Sequence, residues 1–217
     1  LEIRPKLWAE KIEPVYESIR QVKATLDDKT ALFGFAGGAW TLASYMVKGA
    51  AAEDQRAAKL WGYRESESFD RLLDLLGECV AAHLIAQVEA GADAVQIFDS
   101  WASGLPAAQF ERWVVAPTKK IVAQIRTIHP KAKIIGFPRA ATLAGYERYA
   151  SETGVDALSL DTAVPMDWAA KALGGNIALQ GNLDPIALIA GGDALRDGVD
   201  AILKATRGVP HIFNLGH

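Results

Sequence analysis

The sequence predicts an α/β fold built on parallel strands, and three observations support that prediction. Short apolar runs of strand length return six times along the 217 residues. Segments with helical periodicity separate these runs. The runs are apolar nearly throughout rather than alternating, which is typical of parallel strands covered on both faces. Strands that alternate with helices are joined by right-handed crossovers, so one parallel sheet is expected.

The six predicted strands are all five or six residues long. Each is rich in Ala, Val, Ile, Leu or Phe, and several are bounded by glycine or proline. The strands are ALFGF at 31–35, AVQIF at 94–98, KIIGF at 133–137, DALSL at 156–160, NIALQG at 176–181 and HIFNL at 211–215.

The intervening segments predict long amphipathic helices. Segment 69–91 has apolar residues at helical spacing, and it is expected to begin after Ser68 as its N-cap and to end at Gly91. Segment 109–130 is a second long helix, which Pro117 is expected to interrupt or kink. Two further helices, each closed by glycine, are predicted at 142–154 and 192–208.

Two architectures accommodate this order, a doubly wound sheet and a β/α barrel. A dinucleotide-binding sheet carries GxGxxG after its first strand, and GFAGGAW at 34–40 lacks that spacing. No GxxxxGK[ST] phosphate loop is present either. We therefore predict a (β/α)8 TIM barrel, of which about six βα units are present. Residues 1–217 are predicted to form a single domain, a partial TIM barrel.

Composition excludes several classes of partner. The formal net charge is −3, so a concentrated positive field for nucleic acid or an anionic membrane surface is not expected. No apolar run reaches the length of a membrane span. The single cysteine, Cys79, excludes an intramolecular disulfide and a multi-cysteine metal site. Neither HExxH nor CxxC occurs, so no metal is predicted, and a cytoplasmic location is favoured.

Candidate site residues follow the predicted strands, because a β/α barrel forms its active site from the loops after the strand C-termini. Asp99 and Ser100 have a structural alternative, since they could cap the next helix. Asp184 before Pro185 has the pattern of a helix start. His217, after a strand-end glycine, is harder to explain structurally. The polar side chains at these positions are Tyr45, Asp99, Ser100, Arg139, Asp161, Asn182, Asp184 and His217.

Four strand-end segments together resemble the uroporphyrinogen decarboxylase family. GFAGGAWTLASYMVKG at 34–49 is similar to its Gly-rich strand-turn-helix segment, and VQIFDSWAS at 95–103 is similar to its Phe-Asp-Ser-Trp-Ala-Gly segment. LQGNLDP at 179–185 and NLGH at 214–217 match two more of its motifs, in the family's order.

The resemblance implies an enzyme that removes CO2 from the four acetate side chains of uroporphyrinogen III, giving coproporphyrinogen III in haem and porphyrin biosynthesis. It implies a cytoplasmic homodimer that uses no cofactor, because a protonated pyrrole ring of the substrate accepts the electrons. By motif, Tyr45 and His217 correspond to catalytic positions, and Tyr45, Ser100 and His217 to substrate-contacting ones. Arg139 is a looser match that would bind substrate carboxylates.

The family's early Arg-Gln-Ala-Gly-Arg segment is absent, as is the segment whose aspartate binds the pyrrole nitrogens. We therefore expect a chain truncated at both ends, without the first barrel strands and the last helix, and inactive by itself. Two alternatives stay open. One is a corrinoid- and zinc-dependent methyltransferase of the same superfamily, which has histidine and cysteine where Pro138 and Arg139 stand here. The other is a non-catalytic tetrapyrrole-binding fragment.

Overall fold

The computed structural model describes residues 5–48 and 54–217, with side chains described from residue 10. Within these ranges one parallel sheet has the order β1-β2-β3-β4-β5-β6. The prediction of six parallel strands is confirmed. The strands are β1 (Phe33–Gly37), β2 (Ala94–Asp99), β3 (Lys133–Pro138), β4 (Ala157–Ser159), β5 (Ala178–Gln180) and β6 (His211–Ile212).

At least one helix lies in every crossover between consecutive strands. A π-helical segment, Glu111–Val115, joins α5 to α6. The helices are α1 (Pro5–Thr25), α2 (Ala39–Lys48), α3 (Arg56–Arg64), α4 (Ser66–Glu89), α5 (Ala107–Phe110), α6 (Ala116–Ile128), α7 (Leu143–Thr153), α8 (Met166–Ala172), α9 (Pro185–Ala190) and α10 (Gly192–Ala205). No helix in the described parts of the chain combines the length and apolarity needed to cross a bilayer.

The strand order distinguishes a barrel wall from a doubly wound sheet. A doubly wound sheet reverses its strand order at a switch point, whereas each strand here pairs with its neighbours along the chain. The sheet is also strongly curved. Gln180 on β5 reaches Gln96 on β2, with 3.1 Å between Nε2 and Oε1, although two strands lie between them. In a flat sheet β2 and β5 would lie about 14 Å apart, so the sheet must curve around these two side chains.

Burial follows the two faces of this curved sheet. The side chains that face the helices, such as Val95 and Ile97, are fully buried. On β1, by contrast, Phe33 and Phe35 are 42% and 65% exposed. This departs from the predicted fully buried strand, because β1 lies at the edge of the described sheet and its interior face is open.

Several predicted helix ends are confirmed by backbone geometry, but the N-cap predicted at Ser68 is wrong, because α4 begins at Ser66 with Glu65 before it. Gly91, with φ +111°, follows the C-cap of α4, and Gly154, with φ +77°, caps α7. The interruption predicted at Pro117 lies just before it, in the π-helical segment that ends at Val115. Proline has no amide hydrogen, so the carbonyl four residues earlier loses its usual helical donor at this point.

The last predicted strand is shorter than expected. Regular pairing of β6 with β5 stops at Ile212, and a single bridge between Leu183 and Leu215 resumes it. The side chain of Asn214 accepts a hydrogen bond from the amide of Leu215, which does not take part in this bridge.

Candidate active site

The C-terminal ends of the strands meet at one edge of the sheet, which we term the barrel mouth: the residues that directly follow β1 to β6. Backbone hydrogen bonds continue between neighbouring loops there. The amide of Gly38 donates to the carbonyl of Phe98 at 2.9 Å, and that of Arg139 to the carbonyl of Asp99 at 3.2 Å. The amide of Gly216 donates to the carbonyl of Leu183 at 2.7 Å. The mouth is thus one continuous rim.

Ser100 and Arg139 are in direct contact on this rim. The guanidinium Nη1 of Arg139 lies 3.4 Å from the carbonyl oxygen of Ser100, and both residues are half-buried. The next residue, Ala140, has φ +53°, a backbone conformation that residues other than glycine rarely adopt. Its amide donates to Oδ2 of Asp161 at 2.8 Å, which holds the loop in this form.

Asp161, one of the predicted rim residues, accepts hydrogen bonds from its own loop and from neighbouring elements. Its Oδ2 also accepts a hydrogen bond from the hydroxyl of Tyr146 at 2.5 Å, and its Oδ1 accepts one from the amide of Ala163 at 3.0 Å. Burial, then the hydrogen bond to Asp161, raises the pKa of the Tyr146 phenol, which therefore stays a donor. The carboxylate thereby fixes the loop that carries Arg139.

Tyr45 lies beside the loop that carries Ser100. Its ring makes an edge contact with Trp101, with centroids 6.2 Å apart, and the Tyr45 side chain is 38% exposed. The indole N–H of buried Trp40 donates to the carbonyl of Trp101 at 2.7 Å. Helix α2 therefore both presents Tyr45 and fixes the loop that it contacts.

His217 is exposed at the same rim, with its ring centroid 6.5 Å from that of Phe137. Its backbone carbonyl accepts a hydrogen bond from Thr162 Oγ1 at 3.2 Å. A Cβ on Gly216 would stand 2.6 Å from the Thr162 side chain, so this close approach requires glycine.

An aromatic row lines the interior face of the wall just below the mouth, formed by Phe35, Phe98 and Phe137. Neighbouring rings meet edge to face, with centroids 5.9 and 5.8 Å apart. His217 continues the row past Phe137. This row was not predicted from the sequence. The signal was present, since each phenylalanine stands one or two residues before the end of its strand and Phe98 pairs in register with Phe137.

Two predictions about rim residues are resolved by their contacts. Asp184 caps α9 by accepting a hydrogen bond from the amide of Ile186 at 2.8 Å, as its pattern predicted. The structural alternative that Asp99 or Ser100 caps the next helix is wrong, because α5 starts at Ala107 with Pro106 before it. Asp99 is instead buried behind the rim.

The candidate residues thus share one edge of the sheet. Ser100 and Arg139 touch, Tyr45 contacts the residue after Ser100, and His217 lies by Phe137, two residues before Arg139. The barrel mouth therefore holds two groups able to exchange protons, the Tyr45 phenol and the His217 imidazole. It also holds one cation, the Arg139 guanidinium, and the aromatic row.

Relatives of known name cover almost the whole chain. The sequence profile of the family described as Uroporphyrinogen decarboxylase (URO-D) matches residues 2–217. The uroporphyrinogen decarboxylase of Mesorhizobium japonicum is 52% identical over 206 residues, which are 95% of this chain and 60% of that protein. That of Chelativorans sp. is 47% identical over 213 residues, 98% of this chain and 62% of that protein. The chain therefore spans about three-fifths of the length of these relatives.

Solved structures share the fold at low identity. A methyltransferase from Methanosarcina mazei superposes with a TM-score of 0.78 at 20% identity, over 95% of this chain and 59% of that one. A putative vitamin-B12 independent methionine synthase from Listeria monocytogenes gives 0.56 at 12% identity, over 93% of this chain and 62% of that one. These likenesses bear on fold alone. Because the family profile covers residues 2–217 and named relatives are about half identical, the chain belongs to the uroporphyrinogen decarboxylase family.

Proposed function

We propose that this chain supplies most of the barrel wall of a uroporphyrinogen decarboxylase, a carboxy-lyase that converts uroporphyrinogen III to coproporphyrinogen III. The observation that carries the proposal is the family match over residues 2–217, with relatives of that name at 52% and 47% identity. The barrel mouth supports it, because its apolar aromatic row lies beside a fixed guanidinium. A tetrapyrrole substrate has the complementary form, an apolar macrocycle with carboxylates at its edge.

Each candidate residue has a role in this proposal. The aromatic row of Phe35, Phe98 and Phe137 contacts the macrocycle. Arg139 binds a substrate carboxylate through charge-assisted hydrogen bonds, and Ser100 supplies a hydroxyl at the same point. Tyr45 and His217 contact the substrate and carry the proton transfers.

The proposed chemistry uses the substrate as its own electron sink and requires no metal or organic cofactor. A proton adds to a pyrrole carbon and makes the ring cationic. The bond between the acetate methylene and its carboxylate then breaks, CO2 leaves, and the electron pair enters the cationic ring. A proton then adds to the methylene carbon and completes the methyl group, and loss of the proton first added to the ring carbon restores the neutral aromatic pyrrole. The protein's part is to place proton donors and charges around the ring.

We further propose a single domain over residues 1–217, a homodimer and a cytoplasmic location, each supported by the family resemblance alone. Sedimentation equilibrium tests the dimer directly. A sedimentation profile that fits a monomer at all concentrations would contradict the homodimer.

The function is tested with two proteins: the chain itself, and a chimaera in which residues 1–217 replace the matching part of the Mesorhizobium japonicum relative. We expect the chimaera to release CO2 from uroporphyrinogen, and the chain alone to bind an octacarboxylate porphyrin without steady turnover. His217→Ala in the chimaera should abolish CO2 release. Steady product from the chain alone would contradict its expected inactivity.

The same material separates the alternative functions. Zinc bound stoichiometrically, with methyl transfer to a thiol and no CO2 release, would favour the methyltransferase. A folded chimaera that binds porphyrin but never releases CO2, while the parent enzyme does, would favour a non-catalytic binding protein.

A further inference from the structure

A buried carboxyl group lies directly behind the barrel mouth and has no role in the chemistry above. Asp99 is 1% exposed. Phe98 faces the barrel interior, where it meets Phe35 and Phe137, so Asp99 points to the helix-facing side of β2. It lies next to Ser100, with its carboxyl group between the β1–α2 turn and the helices behind the sheet.

Two glycines, Gly38 just after β1 and Gly136 within β3, leave room for this carboxyl group and for the neighbouring Tyr149 ring. A Cβ on Gly38 would stand 2.3 Å from Oδ1 and 2.4 Å from Oδ2 of Asp99. A Cβ on Gly136 would stand within 2.3 Å of the Tyr149 ring and 2.7 Å from its hydroxyl. Thus the β1 end admits the carboxyl group, and β3 admits the tyrosine that neighbours it. Because the interior is closely packed, a larger residue at either glycine would overlap one of these two side chains.

The polar groups in this space are incompletely paired. Thr41 on α2 donates to Oδ1 at 3.3 Å. Oδ2 of Asp99 and the hydroxyl of Tyr149 on α7 have no partner with hydrogen-bond geometry among the described residues, although Thr118 on α6 lies against both. Tyr149 is the titratable group that faces Asp99, since Thr41 and Thr118 are the contacts from α2 and α6.

Burial is the main influence on both acidic groups. It raises the pKa of Asp99 to about 7, partly offset by the hydroxyls of Thr41 and Thr118. Burial, followed by the charge of Asp99, raises the pKa of Tyr149. An uncharged carboxyl group carries a proton that it can donate to a neighbouring hydroxyl, which a carboxylate cannot do.

The backbone of Asp99 connects this buried space to the candidate residues. Its carbonyl accepts hydrogen bonds from the amides of Ala102 and Arg139, both at 3.2 Å. Ser100 follows it directly and receives the Arg139 guanidinium. A shift of Asp99 would therefore move both Ser100 and Arg139.

We propose that Asp99 is a positioning residue, whose buried side chain anchors the β2–α5 loop to α2 and so holds Ser100 and Arg139 in place at the barrel mouth. It touches no substrate itself. The anchoring does not depend on what the mouth binds, whereas its effect on porphyrin binding rests on the proposed function.

The test compares Asp99→Asn, which keeps the shape and the absence of charge, with Asp99→Ala in the whole chain. Hydrogen exchange at residues 100–103 and 139–141 should rise about tenfold in Asp99→Ala and stay within about twofold of wild type in Asp99→Asn at pH 6. Exchange in α10 is the internal reference. Should Asp99→Ala not fold, Thr41→Val, which removes the donor to Oδ1, should give a smaller rise at the same two segments.

Binding of uroporphyrin, an octacarboxylate porphyrin, is the second readout. We expect about tenfold weaker binding in Asp99→Ala and near wild-type binding in Asp99→Asn at pH 6, with Asp70→Asn, an exposed ion-pair residue, as the control. If the wild-type chain binds no porphyrin, the expected binding by the chain alone fails, and the exchange data alone decide the anchoring role. Unchanged exchange in Asp99→Ala, or equal damage in Asp99→Asn and Asp99→Ala at pH 6, would overturn the proposal.

Discussion

Gln96 and Gln180 meet inside the barrel wall, where Nε2 of Gln180 donates to Oε1 of Gln96 at 3.1 Å and to Ser159 Oγ at 3.2 Å. All three residues are buried. A buried amide that loses its partner lowers the free energy of unfolding by about 1–3 kcal/mol, because no water molecule replaces the lost hydrogen bond. The pair therefore stabilises the curvature that brings β2 and β5 together.

Gln180→Leu is expected to lower the free energy of unfolding by about 1–3 kcal/mol, because it leaves Gln96 and Ser159 without their donor. Urea denaturation measures the change. The double variant Gln96→Leu/Gln180→Leu should cost less than the sum of the two single variants, since the two residues are directly coupled. Gln21→Leu, on exposed α1, is the control and should change stability by less than about 0.5 kcal/mol. Additive costs would show that the two amides act independently.

The sequence was sufficient to predict the six strands and their parallel order. Each apolar run is of strand length and the first five are each followed by a helical segment, so the βα alternation is local information. It was not sufficient to separate the two faces of a strand, because Val95, Gln96, Ile97 and Phe98 form a nearly continuous apolar run whichever residue faces the helices. The aromatic row depends on that assignment and was missed.

The position of the candidate site could be predicted from the sequence, but the residues that pack behind it could not. Strand-end motifs located Tyr45, Ser100, Arg139 and His217 on one edge. Asp99 was considered as a cap, because an aspartate before a helix often has that role. Its actual surroundings come from α2, α6 and α7, which lie far apart in sequence. Contacts of that kind are set by tertiary packing and leave no local pattern.

Gly38→Ala is expected to destabilise the chain by about 1–3 kcal/mol, since the added methyl group would overlap the carboxyl group of Asp99. Thermal or urea unfolding measures this. Gly175→Ala is the matched control, because its Cβ would meet nothing within 4 Å. A Gly38→Ala variant as stable as the control would show that the carboxyl group moves away freely.

The contribution of Asp99 to stability should fall as pH rises through neutrality. Burial raises the pKa of Asp99 to about 7 in the folded chain, against an ordinary value of 3.8. The folded state therefore holds this proton more tightly than the unfolded state. Its stabilising contribution is complete below the ordinary value and is lost as pH rises through the folded one. The total loss is about 4 kcal/mol, more than half of it between about pH 5 and pH 8.

Urea denaturation of wild type and Asp99→Asn across that range checks this prediction. The free energy of unfolding of Asp99→Asn should decline less steeply with pH, because the amide does not ionise. The two curves should therefore converge or cross as pH rises. Parallel curves for the two proteins would mean that Asp99 does not carry the dependence.

Arg139→Gln is expected to weaken binding of an octacarboxylate porphyrin by about tenfold or more, since a hydrogen bond from a charged donor contributes about 1.5–3 kcal/mol. Fluorescence titration measures the affinity. The loss should shrink at high salt, where the attraction between the guanidinium and the carboxylates is screened. Lys133→Gln is the control: Lys133 begins β3, at the end opposite the mouth, whereas Arg139 directly follows the strand, and the Lys133 side chain is 69% exposed. Each substitution removes one positive charge. Equal losses would therefore point to the overall charge of the chain, whereas a loss confined to Arg139→Gln identifies the mouth as the carboxylate-binding end.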